Sequence, residues 1–245
     1  MKQLLFWLIV GTMVASRMAL ATDQVPTLII NSSNYPPITN QEKDGLLDQV
    51  YQEMARRAGV RILIQSLPAA ERSLRNQNSG IDDGDVSRIR GLEKQYPNLV
   101  RVPESVMHFE MVAFSRKANF TVSGAASLAP YTVGIPKGWK ILERNTAGAR
   151  SVTSLENGKQ LFAMLDKERI EIAIIEKFQG MHFVKDKGIK GIRILQKPLV
   201  EGDWFMYLNK KHLALVPKLA AVLRGMKADG THQRILDGIL KRYVF

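Results

Sequence analysis

Seven residues of this 245-residue chain combine side chains suited to holding a small solute with positions close behind apolar runs: Tyr35, Arg72, Ser87, Arg88, Gly138, Trp139 and Glu176. In open α/β sheets ligands gather outside the carboxyl ends of the strands, and these are the positions that fall there. Tyr35 presents an aromatic face beside a Pro36-Pro37 turn, or simply packs that turn. Arg72 and Arg88 can each clamp a carboxylate through two parallel N–H donors, which lysine cannot match. A surface or structural ion pair is the alternative for both, and Arg90 competes with Arg88 for the role. Gly138 and Trp139 open a predicted helix whose free N–H groups favour an anion, or they form a plain turn. Glu176 follows a fully apolar strand, so its carboxylate either receives an ammonium or stands exposed at a helix start.

Other chemistries are absent from the pattern. The chain has no G-x-S-x-G, no H-E-x-x-H, no Walker loop and no G-x-G-x-x-G. Its four histidines, His108, His182, His212 and His232, lack metal-ligand spacing. Asp82-Asp83-Gly84-Asp85 hints at a calcium turn, but the remaining loop ligands and the closing glutamate are missing. No metal and no cofactor are therefore expected. The lack of any cysteine rules out disulfides, thiolate metal sites and a thiol nucleophile.

The elements that must position the seven residues alternate. Thr27 to Asn31 reads as a buried strand, and the two prolines after it stop it. Leu46, Leu47, Val50, Tyr51, Met54, Ala55 and Ala58 make one helical face closed by Gly59 as a left-handed cap. Val60 to Ile64 is a second strand, Pro68 to Gln77 a short helix, and Gly80 to Asp85 a turn entering another strand. Leu99 to Ser115 is strand-rich. The alternation then resumes: a strand from Tyr131 to Ile135, a turn entering a helix from Pro136 to Glu143, and a helix to Asp166 capped by Ser154. A strand from Ile170 to Ile175, a helix from Glu176 to Lys185 and a strand from Ile192 to Leu195 follow. Strand alternating with helix predicts parallel sheets in an α/β fold. The last piece, Trp204 to Leu208 with helices near 213–227 and 231–243, has no sheet of its own and must pack onto one already built. Two lobes with a doubly crossed connection result.

Met1-Lys2-Gln3, the apolar run Leu4 to Ala15 and Ala19-Leu20-Ala21 together read as a signal peptide, residues 1–21, cleaved before Thr22. No later run reaches the roughly 18 to 20 apolar residues of a membrane span, so an exported, periplasmic protein without membrane insertion is expected. The formal charge is +12, and +10 without Lys2 and Arg17. Basic residues such as Lys185, Lys187, Lys190, Arg193 and Lys197 are scattered among apolar and acidic neighbours, which argues against a nucleic-acid stripe and for a solvated face or attraction of an anionic ligand.

The order of leader, Asn34-Tyr-Pro-Pro-Ile38, Gly45 to Val60, Ser79-Gly-Ile-Asp-Asp-Gly-Asp85 and Met226-Lys-Ala-Asp-Gly-Thr231 resembles the family 3 extracellular solute-binding proteins, the amino-acid-binding components of ABC importers. The resemblance covers essentially the whole chain after the leader. It implies a two-lobed periplasmic binding protein (type II) fold, each lobe a mostly parallel sheet flanked by helices, joined by a two-strand hinge. Lobe 1 would comprise 22–116 plus 200–245, and lobe 2 117–199. It further implies that Tyr35 lines the cleft, that Ser87 and Arg88 lie in the loop supplying hydroxyls and then a carboxylate-binding arginine, and that Glu176 receives an α-ammonium. Position 70, aromatic in many members, is alanine, and the later arginine position is near Gln95. The function implied is non-catalytic capture of a small polar, carboxylate-bearing solute by a monomer serving an ABC permease or a membrane sensor. Two other classes remain open: an exported dehydratase acting on prephenate or arogenate, with Glu176 as a proton-transfer group, and a ligand-free signalling partner.

Overall fold

The computed structural model describes residues 25–32, 35–67 and 70–242. The expected leader, Asn34 and the side chain of Ala70 lie outside this description. The chain runs β1 (Thr27–Ser32), α1 (Leu46–Ala58), β2 (Arg61–Ser66), α2 (Ala70–Ser79), β3 (Gly84–Arg88) and β4 (Leu99–Ser115). It continues through β5 (Thr132–Pro136), α3 (Lys140–Asn145), β6 (Ser151–Leu155), α4 (Gly158–Asp166), β7 (Ile172–Glu176), α5 (Lys177–Asp186), β8 (Arg193–Ile194), β9 (Val200–Asn209), α6 (Val216–Ala228) and α7 (Thr231–Leu240). Among the described residues no helix is long and apolar enough to cross a membrane.

The strands lie in the order β2-β1-β3-β9-β4-β7-β5-β6, with β8 beside β4. β1 pairs in parallel with β2 and β3, and β5 in parallel with β6 and β7. Between these two parallel sets stand β9 and β4, antiparallel to each other and to their outer neighbours. The piece beginning at Trp204 is therefore central. It inserts between β3 and β4 and is longer than its apolar run, starting at Val200.

α1 shows how local sequence sets an element. Asp48 Oδ2 reaches back to the N–H of the capping residue Gly45 (3.1 Å) and also takes the N–H of Asn40 (2.9 Å) in the preceding loop, tying that loop to the helix start. Gly59 ends the helix at φ 61°, the left-handed cap expected from sequence. The buried face is Leu46, Leu47, Val50, Tyr51, Met54 and Ala58.

The expected cap at Ser154 is corrected. Ser154 lies inside β6, whose residues are mostly exposed, and Asn157 caps α4 by accepting from the N–H of Gln160 at 2.9 Å. An exposed edge strand needs no apolar run, so Ser151-Val-Thr-Ser-Leu155 carries none of the signal that marks a buried strand.

The core runs through both halves, from Leu28 and Ile30 through Val133 and Ile174 to Leu223 and Ile239. A second cluster behind β7 sets Phe114 edge to face against Phe162 (5.2 Å) and Phe162 near Phe183 (5.9 Å).

β3 and β9 approach so closely at Gly84 that a Cβ there would stand 2.0 Å from the Tyr207 carbonyl oxygen. Gly84→Ala must push the two strands apart, at a cost of about 2–4 kcal/mol, so thermal denaturation should show a midpoint lower by roughly 5–15 °C. Gly225→Ala on α6, where a Cβ meets nothing within 4 Å, is the control and should leave the midpoint unchanged or raise it. Equal midpoints for the two variants would refute this account of the β3–β9 contact.

Candidate functional site

The carboxyl ends of β1 and β3 in one half and of β5 and β7 in the other carry six of the seven candidate residues. Tyr35 follows β1 in a turn whose geometry its own carbonyl fixes, accepting from the N–H of Ile38 (2.9 Å) and Thr39 (3.1 Å). Its ring is half-buried, and burial pushes its phenol above the usual range. In the other half β5 ends at Pro136, and Gly138 turns the chain at φ 79°, a left-handed conformation that suits glycine. Trp139 then caps α3, its carbonyl accepting from Leu142 (2.8 Å) and Glu143 (3.0 Å). The indole meets the Tyr35 ring edge to face, with centroids 6.4 Å apart and planes at 73°. Two candidates from opposite halves are thus in contact.

Glu176 is the last residue of β7 and the cap of α5. Its Oε2 accepts from the N–H of Gln179 at 2.9 Å, while the buried Oε1 has no partner among the described residues. The side chain is fully buried, not exposed. Burial pushes its carboxyl up to about 7, against the N–H donors of Gln179 and Phe178 and the nearby Lys177, which pull it down. Lys177 itself is engaged elsewhere, 2.5 Å from Glu110.

Ser87 and Arg88 are organised by a residue the sequence reading treated as part of a turn. Asp85, with a side chain only 3% exposed, accepts from Arg88 Nη2 (2.8 Å), Gln77 Nε2 (2.9 Å) and the N–H of Ser87 (3.1 Å). Arg88 Nε is buried without a partner among the described residues. Behind Asp85 runs a buried polar seam. Gln77 reaches Ser73 (2.7 Å), Asn31 reaches Ser73 (3.0 Å) and Asp82 (2.9 Å), and Gln65 reaches Asn31 (2.8 Å) and Asp82 (3.0 Å). Of the open alternatives, the structure places Arg88 in an ion pair. Arg90 lies over the Phe205 ring (4.8 Å) and 4.0 Å from Asp203. Arg72 is exposed on α2 and makes no hydrogen bond or ion pair among the described residues.

The acidic turn does not gather around a cation. Asp83 is taken up by the N–H of Ile29 (2.7 Å), Lys211 (2.7 Å) and His212 (2.6 Å). Among the described residues no group of three or more His, Cys, Asp or Glu is disposed to hold a metal ion.

No protein-family model and no curated protein sequence matches the chain. Solved structures do. An ancestral arginine-binding protein bound to glutamine superposes with a TM-score of 0.70 at 18% identity, over 86% of this chain and 96% of that one. A histidine kinase sensor domain similar to periplasmic binding proteins gives 0.71 at 13% identity, over 89% and 96%. The ligand-binding core of GluR0 from Nostoc punctiforme, in complex with L-glutamate, gives 0.71 at 13%, over 87% and 98%. The chain has the two-lobed fold of the family 3 solute-binding proteins, a fold that these similar structures use both in binding proteins and in sensor domains.

Glu176 has a consequence for stability. Its carboxyl is raised from 4.5 to about 7, so the folded state holds a proton that the unfolded state has released between those values. Stability from this group is complete below about pH 4.5 and lost as the pH rises through 7. Glu176→Gln keeps an acceptor for the Gln179 N–H and removes the titration. The variant should match the parent near pH 4 and exceed it near pH 8 by up to about 3 kcal/mol. Denaturation at the two pH values checks this; a variant less stable than the parent at pH 8 contradicts it.

Proposed function

We propose that the protein is a non-catalytic solute-binding protein that closes on a small polar solute, acting in the periplasm for an ABC importer or a membrane sensor. The observation that carries this reading is the Tyr35–Trp139 contact, which joins the strand ends of the two halves where a solute would be enclosed. Lobe 1 is taken as 22–116 plus 200–245 and lobe 2 as 117–199, with β4 and β9 as the hinge. Solute contacts from both lobes favour the closed state, and the hinge strands absorb the rotation. Tyr35, Arg72, Ser87 and Arg88 line the first wall; Gly138, Trp139 and Glu176 line the second. Arg72 and Arg88 are the groups for a carboxylate on the solute, Glu176 the group for a cation.

One feature favours the dehydratase alternative: a fully buried carboxyl that burial pushes up to about 7 suits general acid–base catalysis. Incubation with prephenate separates the two, since formation of phenylpyruvate belongs to the enzyme alone.

A thermal-shift screen across amino acids, organic acids, polyamines and short peptides tests the binding reading. A true solute at a hundredfold excess over its Kd should stabilise the protein by about 2.7 kcal/mol, raising the midpoint by roughly 5–10 °C. It should also change the emission of Trp139, which is half-buried at the contact, while Trp204 stays buried in the core. Silence across the whole panel refutes the proposal.

A further inference from the structure

The row of strands ends at β2 on one side and at β6 on the other, and the two edges differ in kind. β6, Ser151-Val-Thr-Ser-Leu155, meets water mostly with hydroxyl side chains. β2, Arg61-Ile-Leu-Ile-Gln-Ser66, meets it with apolar ones. Leu63 is 49% exposed, and its partner across the ladder, Ile29, is 39% exposed. The two extend one apolar stripe to the rim of the sheet, between Arg61 and Gln65 on the same face.

The backbone of that edge is open as well. Arg61 donates its N–H to the Pro26 carbonyl (2.8 Å) and Leu67 to that of Ser32 (2.8 Å), so the odd-numbered residues of β2 turn their N–H and C=O groups toward β1. Ile62 and Ile64 turn theirs away. Of these groups only the Ile64 carbonyl has a partner among the described residues, Lys43 Nζ at 2.7 Å. An apolar edge with free ladder groups is a template for another strand, and a lysine laid over it is one way a sheet keeps other chains off.

The strand that fits best is β2 itself. A second copy related by a two-fold axis normal to the sheet runs antiparallel and keeps like faces together. With the axis at Leu63, Leu63 faces the partner's Leu63, Ile62 faces the partner's Ile64 and Arg61 faces the partner's Gln65. No like charges are opposed, and Ile62 and the partner's Ile64 exchange both ladder bonds on each side of the axis. Moving the axis to Ile62 or Ile64 sets Leu63 against Arg61 or Gln65 and loses the match.

We propose that β2 is the interface of a homodimer in which two copies of the strand pair antiparallel about Leu63, Lys43 yielding the Ile64 carbonyl to the N–H of the partner's Ile62. The carboxyl ends of β1 in the two copies point in opposite directions, so the two candidate solute sites lie at opposite ends of the joined sheet. The inference goes beyond solute binding, and its test needs no solute.

The chain has no cysteine, so a single introduced thiol reports the register. Residues facing each other at a non-hydrogen-bonded position have Cα atoms about 4.5 Å apart, within the roughly 4.4–6.8 Å that a disulfide spans. Leu63→Cys should therefore cross-link into a dimer under mild oxidation, while Thr153→Cys on β6 should stay monomeric. Sedimentation of the parent across a concentration series should show a monomer–dimer equilibrium. Leu63→Lys puts two like charges on the axis and should weaken it at least about tenfold. Lys43→Ala frees the Ile64 carbonyl and should tighten it by roughly two- to tenfold. Leu63, Lys43 and Thr153 are all exposed, so every variant should keep the parent's circular dichroism, which separates loss of pairing from loss of fold. A parent that stays monomeric at every concentration, with no Leu63→Cys cross-link, overturns the proposal. So does a dimer that Leu63→Lys leaves intact, because its interface lies elsewhere, and so does a Lys43→Ala protein that forms larger aggregates in place of a dimer, because Lys43 then only guards the edge.

Discussion

The pairing of β4 with β9 is the constraint on which the rest depends. Their register runs from Leu99 opposite Asn209 to Met111 opposite Val200, and it shifts between Arg101 and Met107, around Pro103, which has no N–H to give the ladder. β4 reaches past this ribbon to pair with β7, while β9 pairs with β3, so the two strands tie one parallel set to the other. Alternate side chains divide the ribbon's duties. Met107, Phe109 and Met111 face the core with Trp204, and Phe109 stacks on Trp204 at 5.2 Å. His108 and Glu110 share the opposite face with Asp203 and Glu201. His108 lies 3.3 Å from Asp203 and 3.7 Å from Glu201. One face is packed into the core along its length; the other carries exposed ion pairs at His108, Glu201 and Asp203, which contribute little rigidity in water, but packs Phe205 and Tyr207 into a smaller buried cluster with Leu74, Tyr96 and Leu99.

The polar seam behind Asp85 solves a different problem. Asn31, Ser73, Gln77, Asp82 and Asp85 are all buried, and buried polar groups are tolerated only when their partners are present. The seam meets most of this need by joining β1, β2, α2 and β3 through side chains, with Gln77 Oε1 left without a partner among the described residues. Its outer end is Arg88. An arginine braced in this way loses little rotamer freedom when it acts, but part of its charge is already answered. The same bond that orders Arg88 weakens its claim on a ligand anion.

Much of the fold is legible in the sequence because buried faces leave periodic traces. The spacing from Leu46 to Ala58 and the glycine after it specify α1 and its end, and the run from Ile170 to Ile175 reads as a strand, which the structure begins at Ile172 and buries throughout. β6 leaves no such trace, since its exposed, polar residues form a strand only because β5 offers them an edge. The central place of β9 is invisible for a related reason. Its apolar residues require a sheet but do not say which strands flank them. At the site, residue type and strand end pick out Tyr35, Trp139 and Glu176, but not their states. That Tyr35 touches Trp139 depends on the packing of both halves, and that Arg88 is paired depends on the irregular register between Asp85 and Arg88. Gln179 and Asp85 escape notice because nothing local distinguishes them from a helix residue and a turn residue.

Net charge is a poor guide to what such a protein binds. The chain is strongly basic, which taken alone favours an anionic partner. Yet many of its cations are spent on nearby carboxylates at the surface, as in Arg116 with Asp166, Arg150 with Glu171, and Arg57 with Glu53 and Asp229. Pairs of this kind are solvated and screened within about 8 Å at physiological ionic strength, so their charges scarcely reach a buried corner. What a buried corner responds to is its own uncompensated group in a low dielectric, where one unfilled carboxylate oxygen outweighs a distant surplus of lysine. At the end of β7 that group is Glu176, whose burial raises its carboxyl to about 7 and so favours the uncharged form.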